Sequence, residues 1–144
     1  MTSCPWRVAT LVLATALSPA AMRAQPAEPI VVDMDGLEWV EIVPGVDFAN
    51  VYGVFTETAH GKLARFDPGL TSPPHTHTGS YWGVVLHGTV TNPYQGADDP
   101  PRMEVGDAWF VPGGIPHVTA CVSEEPCLFY THSDQAWDIE VVEW

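Results

Sequence analysis

The sequence predicts an all-β domain, a small jelly-roll barrel, from three observations. Its apolar runs are short and rich in Val, Thr and aromatic residues, Gly and Pro turn signals separate them, and no helical stripe exceeds two turns. The first run, Leu37–Val43, stops at Pro44-Gly45, and the second, Phe48–Glu57, is closed by His60-Gly61, which makes His60 a turn residue. Lys62–Asp67 follows and ends at Asp67-Pro68-Gly69. Tyr81–Asn92 reads as one long strand up to the Pro-rich stretch from Pro93 to Pro101. Asp107–Pro112 runs into Pro112-Gly113-Gly114, after which His117–Ser123 and Cys127–Asp134 flank a short loop. The last run is Asp138–Trp144. The loop Val122-Ser123-Glu124-Glu125-Pro126 reads as a hairpin connection, so Cys121 and Cys127 stand where a bridge would staple facing strands.

Ahead of this pattern, Arg7 precedes the apolar stretch Val8 to Leu17, which is too short for a membrane span and has the form of a secretory signal. Residues 1–24 are therefore read as a signal peptide, 25–36 as an N-terminal extension and 37–144 as the barrel domain; cleavage after Ala20, Ala24 or near Pro29 stays open. The expected location is the periplasm or the exterior, an oxidising compartment that suits paired cysteines. Cys4 leaves with the leader.

The chain carries 18 acidic and 5 basic residues, a formal charge of −13. Beyond the leader the only bases are Lys62, Arg65 and Arg102. A phosphate backbone or an anionic membrane needs a basic patch, so neither nucleic acid nor membrane is an expected partner.

Chemistry concentrates in two stretches, Gly69 to Gly88 and Gly106 to Cys121. Side chains two apart on a strand share a face, so His75 and His77 can close on one ion. His117, just past a Pro/Gly turn, can return along a neighbouring strand as the third imidazole. Three such ligands leave open positions for water, oxygen or substrate. His132, with Asp134 to orient it, stands either behind the ligands or in solvent. His87, before Gly88, reads as structural or surface.

These spacings resemble the two motifs of the cupin superfamily. In the first, G-x5-H-x-H-x3,4-E-x6-G, this chain supplies Gly69, His75, His77 and Gly88, with Tyr81 in the glutamate slot. In the second, G-x5-P-x-G-x2-H-x3-N, it supplies Gly106, Pro112, Gly114 and His117, with Cys121 in place of asparagine. The resemblance implies a jelly-roll barrel with one metal on His75, His77 and His117, and a homodimer paired through sheet edges. Tyr81 then either lines the barrel mouth with its hydroxyl free for catalysis or acts as a weak fourth ligand.

Three neutral imidazoles without a carboxylate suit copper, iron or zinc and disfavour manganese and magnesium; outside the cytoplasm copper ranks first, with Fe(II) and zinc as alternatives. Of the six tryptophans only Trp6 falls in the leader. Trp82 and Trp109 are read as core, and Trp137 and Trp144 as exposed. Exposed rings suit stacking on sugars, and an uncharged polymer escapes repulsion by an acidic surface. The chain resembles small secreted copper-dependent cupins that cleave cellulose oxidatively. That likeness implies a copper oxidoreductase acting on a neutral polysaccharide. The alternatives are a non-haem iron cupin dioxygenase acting on a small molecule and a non-catalytic metal-binding or sensor cupin.

Overall fold

A computed structural model describes residues 29–143. The leader expected over residues 1–24, and Trp144, lie outside the described residues. The unit that begins at Val32 contains strands β1 (Trp39–Val43), β2 (Val46–Tyr52), β3 (His60–Phe66), β4 (His75–Thr76), β5 (Tyr81–His87), β6 (Val90–Thr91), β7 (Ala108–Val111), β8 (Ala120–Cys121), β9 (Cys127–Ser133) and β10 (Glu140–Val141). Among the described residues no helix is present and every strand pair is antiparallel, as the turn-punctuated pattern predicts.

One sheet of six strands runs in the order β1-β2-β3-β9-β5-β7. The short ladders β10-β4 and β6-β8 are joined by single bridges, Thr71 to Ala120, His75 to His117 and Val90 to Met103. The core lies where Phe48, Phe66 and Phe129 of the large sheet meet Val90, Met103 and Cys121. Burying such side chains supplies the main driving force for a domain of this size. Cys121 and Cys127 form the expected disulfide, with Cα atoms 5.6 Å apart.

β3 and β9 carry the functional interior. Strand alternation turns His60, Lys62, Ala64 and Phe66 to one face, and Phe129, Thr131 and Ser133 stand opposite them in register. Inward-facing side chains of these central strands line a cavity of about 400 Å³.

Several boundaries differ from expectation. His60 is not a turn residue: it begins β3 and is 1% exposed, and the reversal is made upstream, where Gly53 takes φ 68°. The run Tyr81–Asn92 splits into β5 and β6 at Gly88, whose φ of 76° breaks the ladder. Phe48–Glu57 ends early at Tyr52, and only Ala120–Cys121 of His117–Ser123 is continuous strand. Trp109 is buried as expected, but Trp82, next to inward-facing Tyr81, points outward and is 55% exposed. Trp137 is half-buried: it packs edge-on against Phe48 and Phe55 instead of facing solvent.

Candidate metal centre

The three histidines of the two motifs converge. His75 lies on β4, His77 follows one residue after it, and His117 is reached by a backbone bridge: His75 N–H donates to His117 O at 3.0 Å and His117 N–H to His75 O at 2.9 Å. That pair of bonds holds the two chain segments in register, 42 residues apart in the sequence. Ring centroids are 4.3 Å apart for His75 and His117, 4.9 Å for His75 and His77, and 5.1 Å for His77 and His117. One nitrogen from each lies within 4.8 Å of the others.

The other nitrogens settle the tautomers. Nδ1 of His75 donates to Pro73 O at 2.8 Å, Nδ1 of His117 to Ile115 O at 2.9 Å, and Nδ1 of His77 to the Asp138 carbonyl. A carbonyl only accepts, so each Nδ1 carries the proton and each Nε2 keeps its lone pair. Burial removes the hydration that would stabilise an imidazolium. It pushes His77 and His117 down to about 4 and lowers His75, so all three are neutral at pH 7. Three neutral, preoriented Nε2 donors fit a single borderline metal ion in an open site.

Two supporting groups escaped the sequence reading. Asp138 is fixed by Thr78, whose N–H donates to Oδ1 at 2.8 Å and whose hydroxyl donates to Oδ2, and these bonds hold its carboxyl below the ordinary range. The carbonyl of the same residue then orients His77. Asn92 donates to Thr119 Oγ1 at 2.8 Å and to the Tyr81 hydroxyl at 3.3 Å. Neither residue belongs to a histidine motif, and only a three-dimensional contact identifies them.

Tyr81 projects from the start of β5, with its hydroxyl 3.2 Å from His117 Nε2. Burial raises its phenol above the ordinary value, so it stays a neutral donor. His132 does not join the cluster: it alternates with the inward residues Thr131 and Ser133, faces outward, and lies 3.3 Å from Asp134 and in contact with the Tyr52 hydroxyl. His87 is exposed and Nδ1 donates to Pro126 O at 2.8 Å, a structural contact.

Lys62 is a further surprise. It reads in the sequence as one of three stray bases, yet it is 5% exposed inside the barrel, and burial pushes its amine down to about 7. The cavity it lines reaches the imidazoles of His75 and His77 and is otherwise mostly apolar.

Residues 62–133 match the family model described as Cupin domain. Solved structures with the same fold include KdgF from Halomonas sp., 19% identical with a TM-score of 0.62 over 75% of this chain and 96% of that one. The polyketide cyclase RemF from Streptomyces resistomycificus is 18% identical, with a TM-score of 0.68 over 81% and 87%. An RmlC-like cupin from Shewanella frigidimarina is 20% identical, with a TM-score of 0.61 over 74% and 92%. No curated protein sequence matches the chain. At these identities the likeness carries the fold alone.

Proposed function

Because the chain belongs to the cupin family, as its match over residues 62–133 shows, we propose that it is a metal-dependent oxidoreductase whose ion is held by His75, His77 and His117 and whose substrate is a small molecule in the adjoining cavity. The observation that carries this reading is the clustering of three imidazoles, each with Nδ1 tied to a carbonyl and one ligand nitrogen of each within 4.8 Å of the others, two of which, His75 and His77, line a cavity of about 400 Å³. That volume matches a small ligand.

Copper heads the order of metals, followed by iron and zinc, since neutral nitrogen donors without a carboxylate favour copper in the Irving–Williams series. When bound, copper supplies one-electron chemistry with dioxygen or peroxide. The chain supplies the rest. Phe48, Phe129 and Trp137 keep the cavity dry, which strengthens every polar contact inside it. Tyr81, held by Asn92, offers a protonated hydroxyl beside the cluster and is placed to donate to an oxygen that gains charge on a bound substrate. Secretion and pairing of two copies through the edges β1 and β7 belong to the same proposal.

A second reading, oxidation of a neutral polysaccharide such as cellulose, is favoured by Trp82 and Phe110. These rings are exposed on the outer face of the sheet with centroids 5.0 Å apart, a platform on which a sugar chain can stack. The deciding experiment incubates copper-loaded protein and ascorbate with cellulose or with a panel of small acids, alcohols and amides. Products are compared with those of a His75→Ala/His117→Ala control. Conversion of a panel compound by the wild type alone supports the first reading, and oxidised oligosaccharides from the wild type alone put the second in its place. Equal product in the control means free-copper chemistry and leaves a non-catalytic metal-binding cupin.

A further inference from the structure

Lys62 occupies an unusual electrostatic position. Its Nζ donates to Thr131 Oγ1 at 3.3 Å, across the register pair that joins β3 to β9. It lies 4.4 Å from the centre of the Phe48 ring and 5.4 Å from that of Trp137. Among the described residues no carboxylate pairs with it, and the cavity wall contains no Asp, Glu or Arg. An ammonium has three donors, and the side-chain hydrogen bond uses one.

At pH 6, below the value of about 7 to which burial lowers this amine, Lys62 is an ammonium without a counter-ion, and its desolvation is uncompensated. The aromatic faces recover part of it through cation–π attraction, but they do not satisfy the remaining N–H groups. The chain is rich in acidic residues, and among the described residues none of them lines the cavity. The interior cation thus has no carboxylate partner among the described residues. The Trp137 indole stands 5.9 Å from the His77 ring, so one aromatic plane adjoins both the cation and the imidazole cluster.

From this geometry we propose that Lys62 is the anchor for a substrate carboxylate, and that the cavity takes a small carboxylic acid with an apolar body. The body lies against Phe48 and Trp137 while its far end is presented to His75 and His77, the two imidazoles of the cluster that line the cavity. The assignment rests on the small-molecule reading of the cavity given above and narrows it. It also reverses locally what the net charge implies globally: the outer surface repels anions, whereas the interior accepts one.

Calorimetric titration of the full chain, metal-free and zinc-loaded, with benzoate and its neutral isostere benzamide tests this at about pH 6, where benzoate is ionised. The wild type is expected to prefer benzoate by about tenfold or more in both forms. Lys62→Met, which keeps the aliphatic stem, should bring the two ligands to within about twofold without weakening benzamide, and Lys62→Arg should restore the preference. Equal binding of the two ligands by the wild type, no measurable benzoate binding, or an undiminished preference in Lys62→Met would each overturn the proposal. The first two need no variant to fold. Preference confined to the zinc-loaded form would put the carboxylate on the metal and overturn the Lys62 assignment while leaving the metal centre standing. Failure to load zinc, with preference retained, would remove the metal centre and leave the anion site.

Discussion

Reduction of the Cys121–Cys127 bridge should destabilise the domain by an amount that the geometry sets. The two cysteines are six positions apart, and the chain-entropy relation for a closed loop of that size gives about 2.3 kcal/mol at 25 °C. Both residues are buried, 1% and 0% exposed, so the reduced thiols stay inside and the loss is mainly the restored freedom of the unfolded chain. For a domain of this length the melting temperature should fall by roughly 10 °C. The metal centre should respond less. Cys121 pairs with Val90 and its N–H donates to Leu70 O at 2.9 Å, whereas His117 is tied to His75 by its own two backbone bonds. Metal affinity is therefore expected to drop by no more than about tenfold, or 1.4 kcal/mol. Urea unfolding followed by tryptophan fluorescence, with and without reductant, reads the first quantity, and metal titration of the same samples reads the second. Coincident unfolding midpoints would contradict this, as would two free thiols found by mass spectrometry in the non-reduced protein.

Tyr81→Phe should leave metal affinity nearly unchanged while turnover on any accepted substrate falls by roughly a hundredfold, because the lost group is a proton donor; a large loss in calorimetric metal affinity would make the hydroxyl a ligand. The metal-free protein should lose stability as pH falls from about 6.5 to about 4: His77 and His117 protonate near 4 in the fold and near 6.5 when unfolded, so the unfolded state holds more protons throughout that window. Urea midpoints at several pH values check this, and a His77→Asn/His117→Asn variant with the same slope would contradict it. Gly88→Ala should cost about 2 kcal/mol or more in the same unfolding assay, since a Cβ at φ 76° would lie 2.9 Å from Cys127 Sγ and 3.1 Å from its Cα; an unchanged midpoint would contradict it.

The barrel and the convergence of His75, His77 and His117 are legible because both are written in spacing. Turn residues mark where strands end, and two histidines one residue apart must share a face of an extended chain. What was illegible is contact-dependent. β4 and β10 are two residues each, too short for a period of two to register, although β4 carries His75 and β10 closes beside it. Trp82 and Trp109 have the same composition signal, and only the facing of Tyr81 toward the core tells that its neighbour must point out. The burial of Lys62 and His60 is not legible, because bases beside a turn are usually solvated. Their places on the inward face of β3 follow only from its pairing with β9. The Asp138 carbonyl reaches His77 from 61 residues away, a distance over which sequence carries no pattern.

Whether His75, His77 and His117 together hold one metal ion is decided by stoichiometric metal titration of the wild type against each single alanine variant. One ion per chain is expected for the wild type and no stoichiometric binding for His75→Ala, His77→Ala or His117→Ala, because two imidazoles do not retain a divalent ion in an open site. Wild-type affinity retained by any one of the three would remove that residue from the ligand set and contradict the site as described.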